Sequence, residues 1–458
     1  MNRSAARRAA ARTFTRMAAL STLLLAACGG GGGDDGLLPP VPGVTCSTPE
    51  ERLWLSGYFD DWYFWYRLAP EPNPARDMSL AEFFEASLYT GSDPRFPRDR
   101  WSFMEPSADF DRFFEDGRQL GYGLFLAGIE TGADPSRPLM VRYVEPLSDA
   151  AARGVSRGDQ IVSAGGRAAS AIVAGDDYGV FTPADEGQTL DLVLRRDGIE
   201  RSVTLRASAY ALSPVTLARV LQTPQGRRMG YLHVKDMIEQ AESGLDRAFA
   251  DFRAAGVTEL AIDLRYNGGG LVSLSRRLAS YVSAARTRDQ VYARLLFNDR
   301  RADAENETWR FQPGSQALEL SRVYVLTGPR TCSASELLIN GLRPFVQVVA
   351  VGDTTCGKPV GFLPVSRCGT TFSVVNFESV NARDEGRFFD GIAPSCAVAE
   401  DFARPLGAAD EPLLATAQGM ADGGACASAA TARRAPLAAG AAVRRGGEPP
   451  ERQGAWRR

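Results

Sequence analysis

Although this 458-residue chain carries 52 Lys and Arg side chains, only Lys235 and Lys358 are lysine, and His233 is its single histidine. Arginine therefore supplies nearly all the positive charge, and a guanidinium cannot serve as a base because it does not deprotonate. Lys358 lies in Gly352-Asp353-Thr354-Thr355-Cys356-Gly357-Lys358-Pro359, just after an apolar strand. An amine placed there can accept a proton if burial disfavours its charged form. Twenty-five residues earlier, Ser333 stands in Gly328-Pro329-Arg330-Thr331-Cys332-Ser333-Ala334-Ser335-Glu336, which runs from another apolar strand into a helix. A hydroxyl and a neutral amine on neighbouring loops can carry out nucleophilic acyl transfer, with Ser333 as nucleophile and Lys358 as general base. Each residue also has a plainer use. Ser333 and Glu336 have the spacing of a helix capping box, and Lys358 could sit on a surface Gly-Pro turn. His233, inside the strand-like Gly230–Val234, is a poor third member for a Ser-His-Asp triad, and pairing it with Cys332 gives a weaker, thiol-based alternative.

An acyl transfer also needs donors for the oxyanion. Arg265-Tyr266-Asn267-Gly268-Gly269-Gly270 follows the strongly apolar Glu259–Leu264, and its glycines can turn sharply and present bare N–H groups. Gly268 and Gly269, with the N–H of Ala334 behind an exposed Ser333, are the expected oxyanion hole. Strands at 230–234, 259–264, 322–327 and 346–351 alternate with helices at 244–254, 271–284 and 335–342. That rhythm predicts an α/β domain over 209–426 with largely parallel pairing and its chemistry in loops at the strands' carboxyl ends.

Residues 1–28 read as an export leader. Five arginines precede an apolar run from Met17 to Ala27, too short to span a bilayer, which closes on Leu25-Ala26-Ala27-Cys28. This resembles a bacterial lipobox, with Cys28 as the lipidated residue and membrane attachment through it. A Gly-rich tether is expected over 29–46, a helical N-terminal domain with an aromatic buried face over 47–116, and a disordered tail over 427–458. Six cysteines remain, an even number in an exported chain, which points to disulfides. Cys356–Cys368 and Cys396–Cys426 are the plausible pairs. Without a CxxC and with one histidine no metal site is expected, and no cofactor. The net charge of -3 offers no field for nucleic acid.

Residues 117–208 change to short strand-like runs. Val144 to Val155 and Arg157-Gly158-Asp159 through Gly166 resemble a PDZ domain, in which a strand, a short helix and a Gly-Asp turn follow one another. The matching carboxylate-binding loop is Gly121-Tyr122-Gly123-Leu124, with Leu124 and Leu126 expected to receive a ligand's last side chain. Together, Asp263-Leu264-Arg265-Tyr266-Asn267-Gly268-Gly269-Gly270, the Ser333 segment and the Lys358 segment resemble the tail-specific, or carboxyl-terminal processing, serine protease family over roughly 47–420. The resemblance implies an α/β and β multidomain chain comprising an N-terminal helical segment, a PDZ-like β domain and an α/β protease core. It further implies a Ser333/Lys358 dyad and protein or peptide substrates with free carboxyl termini, while the leader and lipobox lead us to expect a periplasmic-side location in a bacterial envelope. A catalytically silent peptide-binding scaffold is the alternative. Many relatives have a glutamine four residues after the lysine, where this chain has Phe362; Asn376 and Asn381 are candidate replacements for orienting Lys358.

Overall fold

A six-stranded sheet carries the loops that hold Ser333, Lys358 and the triple glycine. In the computed structural model its order is Val215–Gln222, Arg228–Val234, Glu259–Asp263, Arg322–Thr327, Gln347–Gly352 and Cys396–Ala397. Only the first pairing is antiparallel; the other four are parallel. The described residues are 45–127, 138–426 and the backbone of 454–456. The leader with Cys28, the tether up to Val44 and all of the expected disordered tail except Gly454–Trp456 lie outside them.

Strand sequences such as Glu259-Leu260-Ala261-Ile262-Asp263 are apolar without alternation because both faces of the sheet are covered. Leu260, Ile262, Val323 and Val325 join the larger core with helices Glu242–Ala254, Val272–Ser280 and Ala334–Leu342. Ala261, Tyr324, Leu326, Val349 and Val351 face the opposite way and pack with Leu413 and Leu414 of helix Pro412–Ala421. The period of two along each strand divides the two cores.

The N-terminal segment is helical as expected. Helix Thr48–Trp62 buries Leu55 and Phe59, and Ser79 caps helix Leu80–Ala86 through a complete capping box with Glu82. A separate core holds the 117–208 region, where the sheet order is Leu124–Ala127, Leu139–Val144, Gln160–Ala164, Thr189–Arg196 and Ile199–Arg206. Helix Ala169–Gly175 packs into that core through Ile172 and Val173.

A further sheet over Val291–Phe297, Glu307–Arg310, Val360–Phe362 and Val375–Val380 has no counterpart in the strands read from sequence. Its segments carry inward polar groups, as in Val375-Asn376-Phe377-Glu378-Ser379-Val380, all buried, which hides the apolar signal.

The disulfides are Cys46–Cys368, Cys332–Cys356 and Cys396–Cys426. The last pairing matches expectation. Cys356–Cys368 does not form, because each cysteine has a partner that is distant in sequence or lies on the adjacent catalytic loop. Among the described residues no helix is long and apolar enough to cross a membrane.

Under the sheet, Arg265 is buried between two carboxylates. It donates to Asp263 at 2.9–3.1 Å and forks onto Glu411 at 2.7 and 2.9 Å. Asp263 and Glu411 are fully buried, so removing the guanidinium strands two charges without a counter-ion. Arg265→Ala is expected to cost about 3–5 kcal/mol in denaturant unfolding, and Arg265→Lys should recover only part of this, since one ammonium cannot fork two carboxylates.

Candidate active site

Three neighbouring parallel strands deliver three loops to the same end of the sheet. The glycine loop follows Glu259–Asp263, the Ser333 loop follows Arg322–Thr327, and the Lys358 loop follows Gln347–Gly352. Asn267 ties the first two together. Its Nδ2 donates to Val234 O at 3.0 Å, its Oδ1 accepts from Gly269 N–H at 2.8 Å and Ser335 Oγ at 2.9 Å, and its carbonyl accepts from Cys332 N–H at 3.1 Å. Thr331 Oγ1 adds a bond to Leu264 O at 2.8 Å.

Ser333 occupies the turn into helix Ala334–Leu342 with φ 57° and ψ -114°, a region that non-glycine residues rarely enter. Its N–H donates to Glu336 Oε2 at 2.9 Å, the backbone half of a capping box. The Ser333 Oγ does not complete that cap, and it is buried with no hydrogen-bond partner. Lys358 Nζ is therefore not bonded to Ser333 Oγ in this structure. Ser335, by contrast, has its hydroxyl engaged by Asn267. The expected exposure of Ser333 is not observed, for only 2% of its surface is accessible.

Glu336 joins the Ser333 loop to the Lys358 loop. Besides Ser333 N–H, its Oε2 accepts from Lys358 N–H at 2.8 Å, while Oε1 accepts from Gly357 N–H at 2.8 Å and from Thr355 Oγ1. Burial pushes its carboxyl up, and these donors oppose that shift. Cys332–Cys356 crosses between the same two loops. Cys332, Glu336 and Cys356 also have their ligand atoms within 4.8 Å of one another, but sulfurs joined in a disulfide are not thiolate ligands.

Lys358 is fully buried, and desolvation holds its amine well below the usual lysine range, against the opposing charges of Asp99 and Glu336. Its Nζ lies 3.8 Å from the centre of the Phe362 ring. The residue standing in place of glutamine thus supplies an aromatic face, which attracts the ammonium without accepting a proton. Neither suggested asparagine orients Lys358. Asn376 bonds Leu363 N–H, Tyr58 Oη and Trp62 O, and Asn381 bonds Asn340, Arg383 N–H and Glu385. Asp99 was not foreseen. It is buried, accepts from Tyr63 Oη at 2.7 Å and Ser102 Oγ at 2.6 Å, and comes from a loop without any chemical motif.

Gly269 and Gly270 have φ of +108° and +128°. A Cβ on Gly269 would meet Ser333 Cβ at 2.9 Å, and one on Gly270 would meet Met237 O at 2.2 Å, so only glycine fits this approach. The Gly269 N–H, expected as an oxyanion donor, is spent on Asn267 Oδ1. The N–H groups of Gly268 and Ala334 make no hydrogen bond among the described residues and stay available.

His233 is buried in its strand with Nδ1 bonded to Thr216 Oγ1, and desolvation lowers its pKa to about 4. Cys332 is held in a disulfide, which removes the thiol alternative. In the 117–208 region, Gly123 has φ +83°, and a Cβ there would lie 1.9 Å from Ser148 Cβ. The N–H groups of Tyr122 and Gly123 make no hydrogen bond among the described residues, while their carbonyls accept from Ala150 and Glu145. Leu124 and Leu126 are buried in the core of this region.

Residues 228–396 match the family model described as peptidase family S41. That stretch contains the strands and all three loops of the candidate centre. Among curated proteins, this chain is 24% identical over 288 residues to the carboxy-terminal processing protease CtpB of Bacillus subtilis (strain 168), across 62% of this chain and 55% of that one. It is also 24% identical over 272 residues to the chloroplastic C-terminal processing peptidase of Tetradesmus obliquus, across 54% and 56% of the two chains. The match spans about half the length of these curated relatives. A solved structure from Bacteroides fragilis NCTC 9343, described as an S41 protease, superposes with a TM-score of 0.63 at 25% identity, covering 81% of this chain and 97% of that one. The mixed α/β fold is therefore that of S41 proteases.

Glu336→Gln replaces one acceptor oxygen by an amide that faces N–H donors, so it loosens both loops together. Its kcat should fall at least tenfold with KM changed far less, and unfolding should show a loss of about 2–4 kcal/mol. Steady-state kinetics on a model peptide, with urea melts of the same protein, measure both.

Proposed function

We propose that this chain is a serine endopeptidase in which Ser333 attacks a peptide carbonyl and Lys358 takes its proton. The observation that carries the reading is the buried, charge-disfavoured amine of Lys358 on a loop pinned by Glu336 to the loop of a strained Ser333. A serine hydroxyl is a weak nucleophile at neutral pH and needs an adjacent base. A desolvated lysine suits that task, because its neutral form is present at lower pH than in water. In the acylation step the Ser333 oxygen bonds to the carbonyl carbon, its proton passes to Lys358 Nζ, and the developing oxyanion is met by the N–H groups of Gly268 and Ala334. The lysine then returns the proton to the leaving amine. The Ser333–Lys358 hydrogen bond, absent in this structure, forms as substrate binds, since catalytic hydrogen bonds commonly tighten only in the substrate complex.

The named activities of the curated relatives, carboxyl-terminal processing, suggest protein or peptide substrates presented by their carboxyl termini. The region 117–208 suits this role as a PDZ domain, with the Tyr122 and Gly123 N–H groups as carboxylate donors. Leu124–Ala127 is the edge strand of its sheet, the position at which a peptide strand would add. Lipidation at Cys28 would tether the enzyme on the periplasmic side of a bacterial envelope, and Gly29 is compatible with outer-membrane sorting.

Ser333→Ala and Lys358→Arg are each expected to lower peptide hydrolysis by at least a thousandfold, and Ser333→Ala should leave the unfolding free energy within about 1 kcal/mol of wild type. In wild type, kcat/KM should rise with pH through the lowered Lys358 pKa and then level off, since only the neutral amine accepts the proton. Appreciable turnover by the arginine variant, or a flat profile from acid to alkaline pH, would remove Lys358 from the role of base. Labelling of Ser333 by a serine-directed fluorophosphonate separates the enzyme from a silent scaffold.

For the carboxylate loop, free-acid and amidated forms of one peptide should differ at least tenfold in affinity for the full-length Ser333→Ala protein. Calorimetry would read the difference. Equal affinities would show that the loop does not recognise a carboxylate.

A further inference from the structure

The backbone around Ser333 leaves room for one strand, and one strand is there. On one side of this room runs the short strand Gly269–Leu271, on the other Val360–Phe362, which begins two residues after Lys358. Each has its outer edge occupied. Met237 N–H donates to Gly269 O and Met237 O accepts from Leu271 N–H, while Val360–Phe362 pairs with Val375–Val380. Because backbone groups alternate in direction along a strand, the N–H and C=O of Gly270 point away from Met237. They face Gly454–Trp456. That segment pairs in parallel with the glycine strand, Gly269 opposite Gly454, Gly270 opposite Ala455 and Leu271 opposite Trp456, and also in parallel with Phe362 through Trp456.

We propose that this gap is the peptide-binding slot of the catalytic centre, and that the chain's own Gly454–Trp456 segment is its resident occupant and holds the centre closed. The slot places an extended chain beside the residue whose Cβ position lies 2.9 Å from Ser333 Cβ, so a peptide bond near Gly454 runs past the nucleophile. Ser333 and Lys358 are 2% and 1% exposed in the structure that has the slot filled. Strand addition of this kind draws its affinity from main-chain hydrogen bonds and tolerates many sequences. The segment belongs to the same chain as the slot, with Cys426 before it disulfide-bonded to Cys396, so its binding is intramolecular and needs no second molecule. An incoming substrate must displace it.

The occupancy can be tested apart from catalysis, which matters because its consequence rests on the peptidase reading above. In the Ser333→Ala background, the full chain is compared with a chain ending at Pro450, using a fluorescein-labelled peptide of residues 451–458 as probe. The shortened chain should bind the probe at least tenfold more tightly. Trp456→Pro in the full chain removes a backbone donor from the inserted strand and should restore probe binding to the level of the shortened chain. Equal binding by the full and shortened chains, absence of binding by both, or a proline variant that behaves like its parent would overturn the proposal. If the shortened chain binds the probe and the chain with intact Ser333 hydrolyses no peptide, the slot stands and the peptidase reading fails instead.

Discussion

The candidate centre depends on one buried carboxylate. Glu336 accepts from Ser333 N–H and Lys358 N–H on the same oxygen and from Gly357 N–H on the other. Burying a carboxylate costs several kcal/mol unless donors replace its water, and here the donors come from the two loops that must meet. The same bonds that offset the desolvation of Glu336 set the spacing between the Ser333 and Lys358 loops. Neither loop can move alone without leaving a buried acceptor or a buried N–H unsatisfied. Cys332–Cys356 acts on the same pair of loops covalently.

The surrounding fold supplies that arrangement with supports at increasing distance. Adjacent parallel strands bring the loops to one end of the sheet, Asn267 joins the glycine loop to the turn before Ser333, and Arg265 fixes the base of the glycine loop against Asp263 and Glu411. The N-terminal segment takes part as well. Asp99, held by Tyr63 and Ser102, adds a negative charge that works against the depression of the Lys358 pKa. Desolvation prevails, and Phe362 is part of the reason, since it fills the space beside Nζ with a ring rather than a hydrogen-bonding amide.

Such a centre is dry, and dryness serves both parts of the proposed chemistry. It favours the neutral form of the amine, and it strengthens the attraction of fixed N–H groups for a developing oxyanion. The strand-shaped gap between Gly269–Leu271 and Val360–Phe362 reconciles that seclusion with a macromolecular substrate: an inserted chain completes the sheet and excludes water at the same time.

Sequence by itself determined which side chains could do the chemistry and which strands carry them. The scarcity of lysine singled out Lys358, the triple glycine marked a close approach, and unbroken apolar runs such as Leu260–Ile262 and Val323–Leu326 announced a sheet covered on both faces. These are local properties of composition and period. Tertiary structure alone decided that Glu336 is the clamp, where the spacing with Ser333 suggested only a helix cap, because its other donors come from a loop some twenty residues away. It also decided that Gly269 spends its N–H on Asn267, that Cys356 pairs with Cys332 while Cys368 pairs with Cys46, and that Asp99 acts on Lys358. Each of these joins groups far apart along the chain, and a buried partner leaves no pattern in the residues beside it.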